Sequence, residues 1–151
     1  MHVNLRNLDD TERLAARVAV RALAGDFIGL SGPLGAGKTA FARAFLMAMA
    51  ARQRVPAPAE VPSPTFTLVQ SYQLGAIEVA HYDLYRINSP EEAAELGLEE
   101  AHARGIVLVE WPERLGDRLP RDRLDIALSV DATEQRQATL TTHGTWRTRA
   151  L

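Results

Sequence analysis

Apolar residues recur at helical spacing at Leu14, Val18 and Ala22, and Asp9 or Asp10 stands where an N-cap would accept free backbone N–H groups. The pattern predicts a helix from there to about Leu23, stopped at Gly25. FIGLSG, Phe27 to Gly32, shows no polar alternation and reads as a short buried strand entering a glycine-rich turn. KTAFARAFLMAMAARQ then strings together good helix formers from Lys38 to Gln53. RVPAPAEVPSP carries four prolines, each of which biases its predecessor away from the helical region, so it predicts an extended loop. TFTLVQSY and AIEVAHYDLY alternate with period two around Gly75, the pattern of a hairpin. SPEEAAELGLEEAHARG has Ser89 at the N-cap, Pro90 at the first helical position, Glu92 completing a capping box and Gly105 as the stop, predicting one helix. GIVLVEWPER places four apolar residues directly before Glu110, a buried type of strand that ends on an acid. RLDIALSV, QATLTT and TWRTRA, the last beyond the His143-Gly144 turn, read as late antiparallel strands.

The junction between the first strand and the alanine-rich helix reads GPLGAGKT, Gly32 to Thr39, which satisfies G-x-x-x-x-G-K-[ST] in the strand–loop–helix context that motif requires. Glycines there let backbone N–H groups turn inward around phosphate oxygens, and the helix adds its positive N-terminal end. Lys38 can reach the outer phosphates and the Thr39 hydroxyl can ligate magnesium. The bland alternative is a glycine turn that binds nothing. The element order and this motif together predict an α/β fold. We expect one P-loop NTPase domain over residues 1–151, with a mostly parallel central sheet flanked by helices and antiparallel strands toward the C-terminus.

A phosphate loop alone does not name a function, because the same loop serves kinases, motors and switches. Magnesium in such sites usually has an acid at the carboxyl end of a strand beside the one feeding the loop. Asp83 after EVAHY and Glu110 after IVLV compete for it; the cleaner apolar run favours Glu110 as the metal acid. Asp83 could otherwise pair with Arg86 or hold a turn. Thr65, in the proline loop VPSPTFTL, occupies the place of a switch threonine that meets the terminal phosphate, unless the prolines only stiffen a crossing. Trp111 is either a core filler or an aromatic stacked beside the site, and periodicity does not separate the two.

Bulk properties narrow the partners. With 151 residues, 46 % hydrophobic and 24 % charged, the chain is of globular composition and large enough for a real core. It contains no cysteine, and its N-terminus, MHVNLRNLDDTER, lacks the apolar stretch of a signal peptide, so a cytoplasmic location with no membrane contact is expected. A formal net charge of -2 argues against a protein that grips nucleic acid unaided, because that binding rests on phosphate neutralisation by a basic face.

GPLGAGKT, SPTFTLV, HYDLYR and VEWPERL, in this order, resemble the blocks of the TsaE family, also called YjeE. The resemblance runs over nearly the whole chain. It implies a small bacterial ATPase of the pathway that makes threonylcarbamoyladenosine at position thirty-seven of tRNAs reading codons that start with A. TsaD and TsaB are the implied protein partners, supported in their turnover, with tRNA contacted only through the complex. ATP and Mg2+ are the implied cofactors. By the same resemblance Leu34, Gly35, Ala36, Gly37, Lys38 and Thr39 would wrap the phosphates, Thr39 and Glu110 would hold magnesium, and Asp83, Lys38 and Thr65 would carry catalysis. Thr11, in the Leu8–Thr11 segment, would lie at the adenine end, and Arg136 would match an arginine near the nucleotide. Two positions depart from the family: Pro33 stands where an acid is usual and cannot donate an N–H, and Ala44 where glycine is frequent. A small-molecule kinase, with ERLGDRLPRDR as its arginine-bearing lid, and a non-catalytic nucleotide-gated binding module are the competing functions.

Overall fold

The two uninterrupted apolar runs lie side by side at the centre of the sheet. In the computed structural model, which describes residues Met1–Leu151, the strands are β1 (His2–Leu5), β2 (Phe27–Ser31), β3 (Val69–Leu74), β4 (Ile77–Asp83), β5 (Ile106–Glu110), β6 (Arg123–Val130) and β7 (Arg136–His143). They form one seven-stranded sheet in the order β1-β7-β6-β2-β5-β4-β3. The inner pairs β6–β2, β2–β5 and β5–β4 are parallel; the outer pairs β1–β7, β7–β6 and β4–β3 are antiparallel. Helices α1 (Leu8–Arg21) and α2 (Lys38–Gln53) cover one face, and α3 (Pro90–Glu95) and α4 (Leu98–Arg104) the other.

The strand pleat sorts the core. Ile28, Leu30, Val79, Ile106, Leu108, Leu124 and Ile126 face α1 and α2, where they meet Phe41, Phe45, Leu46 and Met49 of α2. Each of those four α2 side chains is fully buried, which stabilises the fold by roughly 1.5–3 kcal/mol apiece. Phe27, Ala80, Tyr82, Val107 and Val109 face the opposite way, packing with Ala93, Leu98 and Ala101. One consequence bears on function. By the same period of two, His81, Asp83 and Glu110 project toward α2, at the end of the sheet where the glycine-rich loop lies.

Several sequence-based expectations change in three dimensions. β1 has too short and mixed a pattern to be seen, and exists because β7 offers it a free edge. β6 was expected to be antiparallel, yet it runs parallel to β2 and only its other edge is antiparallel. The expected helix Ser89–Gly105 is two, broken at Gly97, whose φ of 76° leaves the helical region; the Ser89 side chain makes no capping bond. TWRTRA is not a strand: Gly144–Thr148 is a 3₁₀ turn that buries Trp146. β3 starts only at Val69, the preceding Pro64–Thr67 being turn and Leu68 a bend. No helix is long and apolar enough to cross a membrane.

The first helix is capped by Asn7, whose side chain accepts from the Asp10 N–H at 3.0 Å, and not by Asp9 or Asp10. Asp10 instead accepts from the Arg6 backbone and guanidinium and from Arg13. These bonds, Arg6 foremost, lower its carboxyl pKa from 3.8 to about 2. A depressed acid contributes stability that is present above about pH 4 and is lost as pH falls toward about 2. Asp10→Asn should therefore flatten the acid limb of stability in that window, as read by denaturant unfolding at successive pH values; an unchanged limb would place acid sensitivity elsewhere.

Candidate functional site

β2 hands over to α2 through a loop that only glycines allow. Gly32 has a φ of 138°, and an added Cβ would lie 2.3 Å from the Leu128 carbonyl oxygen, so a side chain there collides with backbone. Gly35 and Gly37 also have positive φ, and Gly37 caps α2 without any side-chain bond. The N–H groups of Lys38, Thr39 and Ala40 have no intrahelical carbonyl to bond, the first such bond being that from the Phe41 N–H to the Gly37 carbonyl at 2.9 Å. Pro33 has a structural part here through its carbonyl, which accepts from the Ala36 N–H and from Lys38 Nζ at 2.8 Å. Lys38 also bonds the Gly32 carbonyl at 2.6 Å, so the ammonium is folded back onto its own loop.

A cavity of about 230 Å³ opens over these groups. Leu34, Gly35, Gly37, Lys38, Thr39, Thr65, Asp83 and Glu110 all line it, together with Ser63 and Trp111. Ala36 and two of the residues matched more loosely, Thr11 and Arg136, do not. They line an adjoining cavity of about 180 Å³ with Leu8, which shares Gly37 and Ala40 with the first. Arg136 donates to the Gly35 carbonyl at 3.3 Å and so ties the two together.

The floor is charged. Thr39 Oγ1 lies 3.2 and 3.4 Å from the two Glu110 oxygens. Asp83 sits in register beside Glu110 on the neighbouring parallel strand. Its Oδ1 accepts the Tyr85 N–H at 3.0 Å, and Thr65 Oγ1 donates to Oδ2 at 3.4 Å. Thr65 in turn bonds Ser63 Oγ at 2.7 Å. The proline loop bearing both is held by Arg43, which donates to the Val61 carbonyl, and by Arg86, which donates to that of Phe66. Asp83 does not pair with Arg86.

Trp111 resolves into a rim residue. Its φ of 60° and ψ of 50° are left-handed, a conformation that costs an L-residue roughly 1–2 kcal/mol. The strain is offset by a bond from its N–H to the Leu30 carbonyl, by a tilted ring contact with Tyr85 at 4.8 Å between centroids and by the Lys38 ammonium 4.5 Å from its ring centroid. Burial lowers the Lys38 pKa from its ordinary value, while Glu110 and Asp83 pull it back up.

Lys38, His81, Asp83 and Glu110 are four of the few buried polar side chains in the protein. Two carboxylates face one ammonium that is bonded to carbonyls instead of to either of them. Buried charge of that sign calls for a cation. The oxygen donors Thr39 and Glu110 are of the hard type that suits Mg2+, so the residues present fit that ion. Sequence reading had passed over His81, Ser63 and Tyr85. Period two in HYDLYR places His81 on the same face as Asp83, and that was the signal available for it.

Comparison with known proteins bears on the same residues. The family model described as threonylcarbamoyl adenosine biosynthesis protein TsaE matches residues 5–138. The tRNA threonylcarbamoyladenosine biosynthesis protein TsaE of Bacillus subtilis (strain 168) is 35 % identical over 139 residues, covering 91 % of this chain and 83 % of that protein. The protein of the same name from Mycobacterium bovis is 37 % identical over 145 residues, covering 89 % and 83 %. The crystal structure of Bacillus subtilis YdiB superposes with a TM-score of 0.78 at 29 % identity, covering 97 % of this chain and 88 % of that one. A family model spanning most of the chain, relatives that agree over nearly its full length and a shared fold lead to one conclusion: this chain belongs to the TsaE family of tRNA threonylcarbamoyladenosine biosynthesis proteins.

Proposed function

We propose that this chain binds Mg2+ with ATP and hydrolyses it in the cytoplasm, joining TsaB and TsaD and supporting their repeated turnover on tRNA. The observation that carries the reading is the convergence of Lys38, Thr39, Thr65, Asp83 and Glu110, from four separate stretches of chain, on one cavity at the carboxyl ends of β2, β4 and β5. The loop from Leu34 to Thr39 would take the phosphates on its N–H groups, and Lys38 would exchange the Gly32 and Pro33 carbonyls for the outer phosphates. Thr11 and Arg136 in the adjoining cavity would take the nucleoside end. Thr39 and Glu110 would hold magnesium, which when bound neutralises phosphate charge. Asp83 would orient the attacking water and accept its proton, with Thr65 and the Tyr85 N–H fixing the carboxylate. Thr65, tied to Ser63 on the proline loop, would report the terminal phosphate to a docked partner.

The division of labour follows from charge. A chain of net charge -2 is a poor holder of tRNA, which leaves RNA contact to TsaB and TsaD. The kinase reading loses support because Arg118 pairs with Glu91 and Arg123 with Asp125, and neither lines the cavity. Phosphate release from ATP by the chain with TsaB and TsaD, without any added acceptor, tests the proposal. Release is expected. ATP-dependent association without release would leave a nucleotide-gated binding module in its place.

Glu110→Ala should weaken ATP binding in the presence of magnesium by about tenfold or more while changing little in EDTA. Titration calorimetry at fixed ATP with rising Mg2+ reads this directly, and an unchanged magnesium dependence would remove Glu110 from the metal.

A further inference from the structure

Beneath the metal acid lies an imidazole with no assigned task. His81 is fully buried, two residues before Asp83 on β4 and in register with Leu108 of β5. Its Nε2 is 2.6 Å from Glu110 Oε2, and its Nδ1 has no partner at all. At that separation two bare lone pairs would repel, so Nε2 carries a hydrogen and the carboxylate accepts it. A histidine kept only to fill the core would be better replaced by an apolar side chain, because a buried nitrogen without a partner is destabilising. The single polar contact the ring makes is to Glu110.

We propose that His81 is a positioning residue for Glu110. Its Nε2–H pins Oε2, and this turns the carboxylate toward the Thr39 hydroxyl, 3.2 and 3.4 Å from its two oxygens. Without that bond Glu110 is free to turn to the Lys38 ammonium, the nearest strong alternative in the cavity. The role rests on the Mg2+-ATP reading of the site and goes beyond it. Outer groups that orient a ligating side chain matter to the ion almost as much as the ligand does. His81 does not line the cavity and its one polar contact is Glu110, so its effect is confined to how well Glu110 is aimed.

The test is calorimetric titration of ATP into His81→Leu and His81→Gln, with Mg2+ and again in EDTA. For His81→Leu, magnesium affinity of the ATP-loaded protein should fall by about ten- to a hundredfold, with EDTA affinity unchanged. His81→Gln, which retains an N–H donor, should recover most of the loss. Equal magnesium dependence in His81→Leu and wild type would overturn the role, as would parallel losses with and without magnesium, which mark a merely structural residue. Wild-type protein indifferent to magnesium would instead overturn the Mg2+-ATP reading, and the role with it. If His81→Leu does not fold, the 15N-labelled imidazole of the wild type decides. An Nε2–H resonance that shifts when Mg2+ is added to ATP-loaded protein supports positioning, and one that stays still overturns it.

Discussion

On the function proposed above, Asp83→Asn should lower ATP turnover in the presence of TsaB and TsaD by about a hundredfold or more, the cost of losing a positioned base. ATP affinity should hold or tighten, since the neutral amide no longer repels the terminal phosphate. The substitution is nearly isosteric, and its carbonyl can still accept the Tyr85 N–H that holds Oδ1. The fold and the tilted contact of Tyr85 with Trp111 therefore stay in place, so the change reports on the chemistry of the carboxylate. Phosphate release under single-turnover conditions is the measurement. Turnover within about threefold of wild type would remove Asp83 from the role of base.

Arg149→Met should destabilise the fold by about 3 kcal/mol, because it strands a buried carboxylate. Asp26, 7 % exposed, receives two bonds from the Arg149 guanidinium, at 2.6 and 3.0 Å, and one from the Leu23 N–H. The same guanidinium lies 4.2 Å from the Trp146 ring centroid and donates to the Arg21 carbonyl. One side chain thus joins the C-terminal segment to the end of α1 and the start of β2. For a chain of this size the loss corresponds to a fall in Tm of about 6–12 °C. Thermal unfolding checks it, and the double variant with Asp26→Asn should recover part of the loss, since no charge is then left without a partner. A shift below about 2 °C would show that the pair is exchangeable with water.

Both predictions concern charges that the sequence displayed unequally. Glu110 ends an uninterrupted apolar run, so its place at the carboxyl edge of the sheet could be inferred from the pattern, whereas Asp83 lay inside the expected strand AIEVAHYDLY and only the parallel pairing of β4 with β5 sets it beside Glu110. The loop Gly32–Thr39 was equally readable, because its glycines, lysine and threonine are each demanded by local backbone geometry. Arg149 and Asp26 are separated by most of the chain, and nothing local marks them as partners.

By itself the sequence determined which residues would form the central strands, the glycine loop and α2, and which family's blocks the chain carries. Those properties follow from periodicity and from short-range steric demands, which act between neighbours in the chain. Only the tertiary structure decided that β6 runs parallel to β2, that His2–Leu5 closes an edge, that Gly97 breaks a helix, that Thr11 and Arg136 belong to a second cavity and that His81 grips Glu110. Each of these depends on which distant surface or donor is available once the sheet has closed, and strand order and register are set by the packing of both cores together.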